Sequence, residues 1–302
     1  MKKLNITWEG VTDTTGYLFS FAKCIMTALK NSPYSELAED IIAASGFAFR
    51  MWVNDELCAS ATSIWSFDSQ KPWLENGGLV CELVGRYWGQ DDIEEAKRLE
   101  AIENIKRSID SGIAGIAWDI GIPEWGLIIG YDDEAQVFLG LEVTGAEVEL
   151  PYDALGKLEI PILNVVTIKG MANKSREHIV KDTLKLAASH LNGEEWCENR
   201  KGLEAYPALI AHFEKEFDAA ASWNMEYYLG TYAALKWYSW KFFEKYDLAE
   251  LSQIYKKVFD CWQAAFDLKK STDLSKIENR ETIAKLLRTA YEYEKQAVPM
   301  LA

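Results

Sequence analysis

Near residue 170 the chain changes its period, and no single layer of structure absorbs both halves. From Ile113 to Ile168 it reads as short runs of β-branched and aromatic residues cut by turns. From Lys174 onward apolar residues recur every three to four positions to Ala297. The first pattern suits an antiparallel sheet and the second a helical bundle. The charge balance shifts at the same place. Residues 1–169 hold 13 Lys+Arg against 27 Asp+Glu, a net of −14, whereas residues 170–302 hold 19 against 20. At 302 residues there is room for two ordinary domains. The expectation is an α+β domain over 1–169, with helices packed on an antiparallel sheet, and an all-α helical bundle over 170–302.

Within the first half, Lys2–Trp8 reads as a strand and Phe19–Lys30 as a helix stopped by Pro33. Tyr34–Ala44 reads as a second helix. Phe47–Val53, Ala61–Phe67 and Leu79–Val84 are strand candidates. Asp91-Asp92 opens a helix whose apolar face runs from Ile93 to Ile109, and Gly112 ends it. Ile113–Ile120, Trp125–Tyr131, Gln136–Val143, Val148–Pro151 and Ile162–Ile168 follow as strands. In the second half five amphipathic segments follow, of which Trp223–Phe243 is the most aromatic.

The net charge of −15 argues against a phosphate backbone as partner, and an anionic membrane is disfavoured by the same field. No apolar run is long enough to span a bilayer. The opening MKKLNITWEG has no apolar stretch behind its lysines, so it does not read as a signal peptide, and cytoplasm is the expected location. Five scattered cysteines without a CxxC give neither a disulfide framework nor a zinc knuckle. No GxGxxG, P-loop, HExxH or GxSxG is present. Neither a cofactor nor a metal is therefore expected. Asp132-Asp133-Glu134 offers clustered oxygens, but its plainer reading is a hairpin turn.

Two segments carry chemistry. Cys24 follows a Gly-containing loop at what reads as the start of a helix, where the dipole and Lys23 favour a thiolate. A buried small residue on a helix face is the competing reading. Pro123-Glu124-Trp125-Gly126-Leu127-Ile128-Ile129-Gly130-Tyr131-Asp132 is a strand running into a Gly-Tyr-Asp turn. The two segments together resemble the papain-like domains of the bacteriocin-processing peptidases. They look closer still to the N-terminal domain of the butirosin-biosynthesis protein H group, whose helical extension the second half resembles. The resemblance implies a papain-like fold for residues 1–169. It places the nucleophile at Cys24, the base at position 124 and the orienting residue at Glu142.

The family's base is a histidine, and here position 124 is Glu124. A carboxylate beside a thiol raises the thiol pKa instead of relaying its proton. The three histidines, His178, His190 and His212, all lie in the helical half. Three functions follow. The first is a catalytically impaired or non-peptidase member that binds a small molecule or peptide near Cys24. The second is a cysteine-dependent acyltransferase or amidohydrolase acting on a small molecule or acyl-carrier substrate. The third is a scaffold that forms a homodimer through its helices. The aromatic residues Trp223, Tyr227, Tyr228, Trp237, Trp240, Trp262 and Phe266 either line an apolar ligand pocket or fill a core, the latter being the plainer reading.

Overall fold

The computed structural model describes residues 1–62, 67–195, 197–215 and 217–301. In chain order its elements begin with β1 (Lys2–Lys3), α1 (Ser20–Lys30), α2 (Ile41–Ala44), β2 (Trp52–Val53) and α3 (Gln70–Asn76). Then come β3 (Leu79–Arg86), α4 (Glu94–Asp110), β4 (Gly115–Trp118), β5 (Trp125–Asp132), β6 (Val137–Leu141), β7 (Glu147–Pro151) and β8 (Leu163–Met171). The remainder is α5 (Arg176–Leu191), β9 (Arg200–Lys201), α6 (Ala205–Glu214), α7 (Ser222–Lys245), α8 (Ala249–Ser271) and α9 (Ile277–Ala297). The protein is α+β. Among the described residues no helix is long and apolar enough to cross a membrane.

Two compact units are woven from alternating stretches. Unit 1 comprises Met1–Val11, Ser20–Ile41 and Ser66–Lys174; unit 2 comprises Thr12–Phe19, Ile42–Trp65 and Ser175–Ala302.

Unit 1 is built on an antiparallel sheet in the order β3-β8-β4-β5-β6-β7, with β1 paired to β5. The alternation of side chains across β4 and β5 splits the two faces. Ala117 and Ile128 face α4, where they join Ile102, Ile105, Ile109, Phe138 and Val165 in one apolar cluster. Ile116 and Trp118 stand opposite Leu127 and Trp125, and this second face is covered by α1. Phe21 of α1 meets the Trp125 ring edge-on at 4.8 Å. A helix covered on all sides must be apolar all round. Accordingly every residue of α1 is buried except Lys23 and Lys30.

Several expected elements differ. The strand expected at Lys2–Trp8 is confined to Lys2–Lys3, and Phe47–Val53 is a strand only at Trp52–Val53. Tyr34–Ala44 divides into a 3₁₀ turn at Ser35–Leu37 and the single turn α2. In place of a strand at Ala61–Phe67, Ala59–Thr62 and Phe67–Ser69 are 3₁₀ turns; residues 63–66 of that expectation lie outside the described residues. In the described parts of the segments expected as strands, apolar residues such as Ile6, Phe47, Phe49 and Met51 are buried by irregular chain, so β propensity reported burial and not a ladder.

Unit 2 is organised around α7, against which α8 packs, and α9 packs in turn on α8 and α6. The loop before α1 lies along it. Tyr17 donates its hydroxyl to Glu226 at 2.8 Å, and Thr15 Oγ1 donates to the Gly230 carbonyl at 2.8 Å. Gly230 permits this approach, since a Cβ there would stand 2.6 Å from the Tyr17 ring. Tyr228, Tyr232 and Trp262 are fully buried, with ring centroids about 6 Å apart along the chain of contacts. The aromatic residues of α7 and α8 thus mostly fill a core, although Trp223 remains 56% exposed.

That core encloses charge. Lys236 Nζ and Glu294 Oε1 are 2.7 Å apart with both side chains wholly excluded from solvent. Tyr206 donates to the other carboxylate oxygen at 2.8 Å, and Trp262 Nε1 donates to Tyr206. A second buried group surrounds Glu195. His190 Nδ1 stands 2.7 Å from Glu195 Oε2, and Trp52 Nε1 donates to Oε1 at 2.8 Å. The Arg50 guanidinium lies 4.3 Å from the Trp52 ring centre and 4.7 Å from that of Phe47. Burial lowers its pKa to about 9, against the opposing pull of Glu195. Burial likewise depresses the His190 pKa, more than Glu195 raises it.

Two outcomes follow from these buried groups. Glu294→Ala strands the Lys236 charge and is expected to cost about 3–5 kcal/mol in urea unfolding, whereas the paired change Lys236→Met, Glu294→Leu should cost much less. For His190, the unfolded chain binds the extra proton at pH values below its ordinary 6.5 while the folded chain resists it. Stability from this group is thus complete above that value and lost as the pH falls below it. Urea midpoints should drop between about pH 7.5 and 5.5, and the drop should shrink in His190→Gln.

Candidate functional site

Helix α1 begins at Ser20, so Cys24 lies in its second turn and does not open it. The expected location of the thiol at a helix N-terminus is therefore corrected by one turn. The stretch before α1 carries no helical hydrogen bonds, and the first-turn position belongs to a serine. Ser20 and Cys24 are four residues apart and share one face of the helix.

Opposite that face, the turn between β4 and β5 presents Glu124. Trp118 and Trp125 close the ladder directly across from each other. Between them Asp119 takes the left-handed conformation, with φ of 63°, as does Gly121 at 80°. The backbone N–H of Asp119 donates to the Glu124 carbonyl at 3.0 Å. A non-glycine residue at positive φ is uncommon and costs on the order of 1 kcal/mol or more, so this tight turn is held by its surroundings. Asp119 is itself buried, which raises its carboxyl pKa.

The turn delivers the Glu124 side chain to Ser20. Ser20 Oγ donates to Glu124 Oε2 at 2.5 Å, and the Trp125 backbone N–H reaches Ser20 Oγ at 3.4 Å. Cys24 is wholly buried, and its thiol pKa is pushed well above the ordinary value. Burial is the larger cause, the negative charge of Glu124 adds to it, and Lys23 opposes both. Residue 124 thus bears on the sulfur electrostatically while its hydrogen bond goes to the serine.

Glu142 follows β6, and its carboxylate accepts a hydrogen bond from Thr144 Oγ1. It also lies against Gly121, where an added Cβ would collide with Oε2. The indole of Trp8 donates to the Glu142 carbonyl at 2.9 Å. The structure therefore gathers Ser20, Cys24 and Glu124, and gives the Glu142 side chain its hydrogen bond in the following turn. All three histidines belong to unit 2. His178 pairs with Asp182 at 3.2 Å, His190 with Glu195, and His212 lines a groove with Asp55, Arg200 and Glu204.

Trp125, whose backbone reaches Ser20, belongs to an aromatic cluster. Phe67 packs on Trp118 and Trp125 at 5.9 and 5.4 Å, and the two indoles are 5.6 Å apart. Among the described residues, neither indole N–H meets an acceptor, although Trp118 and Trp125 are 4% and 1% exposed. Tyr87 stacks on Phe67 and donates its hydroxyl to Asp68 at 2.7 Å.

The acidic run at 132–134 is a turn. Asp132 Oδ1 accepts from the Glu134 and Ala135 backbones, and Asp133 pairs with Lys106 at 2.7 Å. Among the described residues no group of three or more His, Cys, Asp or Glu is placed to hold a metal ion.

No protein-family model matches the chain, and no curated protein matches it. Ser20 was absent from the residues singled out by sequence. The signal that would have found it is the second residue of the Phe19–Lys30 segment, a hydroxyl one turn ahead of Cys24.

Glu124→Gln removes one of the two effects that raise the Cys24 thiol and leaves burial in place. Its pKa, followed by the Cys24 ¹³Cβ shift, should fall in the variant yet stay above the free-thiol value.

Proposed function

We propose that this chain is a papain-like-fold protein that has given up cysteine chemistry and binds a small molecule or peptide beside the Ser20–Glu124 pair. The observation that carries the reading is the state of Cys24. Its sulfur has no exposure, and its pKa is raised by burial and by the carboxylate that stands where an imidazole is needed. The thiolate is the nucleophile in cysteine catalysis, so a protonated, enclosed thiol is inert. A Cys–His pair works by moving the thiol proton near neutral pH, and unit 1 contains no histidine. A sheet covered by one central helix on one face and α4 on the other is compatible with this fold.

Supporting the binding role, Trp125, whose backbone N–H reaches Ser20 Oγ, packs with Phe21, Phe67 and Trp118. Aromatic walls around a few fixed polar groups are the usual make-up of a small-ligand site. The acidity of residues 1–169 favours a neutral or cationic ligand.

Iodoacetamide near neutral pH tests the reading. Cys58 is exposed and should react first; Cys197 and Cys261, half-buried, should follow. Cys24 should remain unmodified until the protein is unfolded. Rapid, selective alkylation of Cys24 in the native protein, read by peptide mass mapping, would falsify the proposal.

A further inference from the structure

We infer that Ser20 is the nucleophile of this site and Glu124 its general base, acting on a neutral or cationic acyl ester. The inference rests on the location proposed above but not on the state of Cys24, and it assigns that location a reaction.

Geometry comes first. A general base must already lie within hydrogen-bond reach of the proton it removes. Ser20 Oγ points its hydrogen at Glu124 Oε2 across 2.5 Å, whereas the Cys24 sulfur is shut away one turn deeper. Ser20 keeps 7% of its surface and Glu124 is only partly buried, whereas Cys24 is wholly enclosed.

The position of Ser20 supplies the second element. It is the first residue of an eleven-residue helix, whose opening amides have no acceptor within the helix. An oxyanion forming on a carbonyl attacked by Ser20 would develop beside these donors and the positive end of the dipole.

A third observation is independent of both. Trp118 and Trp125, the residues on either side of the turn that carries Glu124, each bury an indole N–H that meets no acceptor among the described residues. Buried donors without partners are costly, on the order of 1–3 kcal/mol each, and the oxygens of an ester are suitable partners.

The step balances without any co-reactant beyond the ester and water. Ser20 Oγ attacks the acyl carbon, and its proton passes to Glu124 Oε2. The bond from carbon to the leaving oxygen breaks, and the proton on Glu124 is delivered to that oxygen. Ser20 is left as an ester, which water cleaves by the same transfers in reverse, regenerating the hydroxyl.

A fluorophosphonate with a neutral alkyl chain probes the first half of this sequence: the Oγ–P bond forms, the P–F bond breaks, and Glu124 takes the proton. Incubated with the full chain, it should yield one adduct that maps to Ser20. Cys24→Ala should label at the wild-type rate, and Ser20→Ala not at all. Glu124→Gln keeps a hydrogen-bond acceptor for Ser20 but loses the base, and should label about a hundredfold more slowly. A hydrogen bond that only ties α1 to the turn predicts no adduct in the wild type, or a rate unchanged in Glu124→Gln; either result overturns the inference. The wild-type mapping decides even should a variant fail to fold. Fast alkylation of Cys24 would sink the earlier reading alone, since the Ser20 adduct is judged by its own mass.

Discussion

The hydrogen bond from Ser20 Oγ to Glu124 Oε2 joins the buried helix α1 to the turn between β4 and β5. Within unit 1, α1 lies on the face of the sheet that carries Trp118 and Trp125, and apolar contact alone would hold it there without fixing its rotation. A polar group in such surroundings is stable only with a partner, so the serine and the carboxylate select one rotational setting of the helix. That setting places Cys24 inward, one turn further along, where it is wholly buried. Enclosure of the thiol and presentation of the hydroxyl are thus two consequences of one constraint.

The turn that carries Glu124 is shaped by the same economy of space. Gly121 accommodates the Glu142 carboxylate, and Asp119 adopts a left-handed backbone while buried. Strain of this kind persists only where packing on both sides over-determines it. Here the ladder between Trp118 and Trp125 on one side, and the backbone bond from Asp119 to Glu124 on the other, fix the chain. Glu142 therefore supports the shape of the turn through contact with Gly121.

Much of this was legible in the sequence. The strands Trp125–Tyr131 and Ile162–Ile168 and the helix ending at Lys30 were visible, because each alternation or period is long enough to outweigh local exceptions. Of the apolar face read from Ile93 to Ile109, the part from Ile102 onward is buried, whereas Ala96 and Leu99 are exposed. The 3₁₀ turns of Ala59–Thr62 and Phe67–Ser69 were not, since their apolar residues mimic a strand while the chain folds irregularly over a core. Cys24 and Glu124 stood out through chemistry and a resemblance. Ser20 did not, because a serine at the start of a helix is ordinary in sequence and becomes notable only when a carboxylate stands opposite. The ion pair of Lys236 and Glu294 was hidden for a like reason: 58 residues separate two charges that occupy positions of otherwise unremarkable helices.

Unit 2 shows what this chain does with buried polar groups that have structural work alone. Glu294 is saturated by Lys236 and Tyr206, and Tyr206 is in turn met by Trp262. Glu195 collects His190 and Trp52, and Arg50 is flanked by two aromatic rings. Each is a network in which the carboxylate is met by more than one donor and is closed to solvent, the condition under which buried charge is tolerated. Glu124 is built otherwise. Its carboxylate accepts one hydrogen bond from Ser20, is only partly buried, and belongs to a turn flanked by Trp118 and Trp125, whose indole N–H groups meet no acceptor among the described residues. The same sequence that closes its structural carboxylates leaves this one open, and that contrast within a single molecule is the physical ground for treating the Ser20–Glu124 pair as a place where something binds.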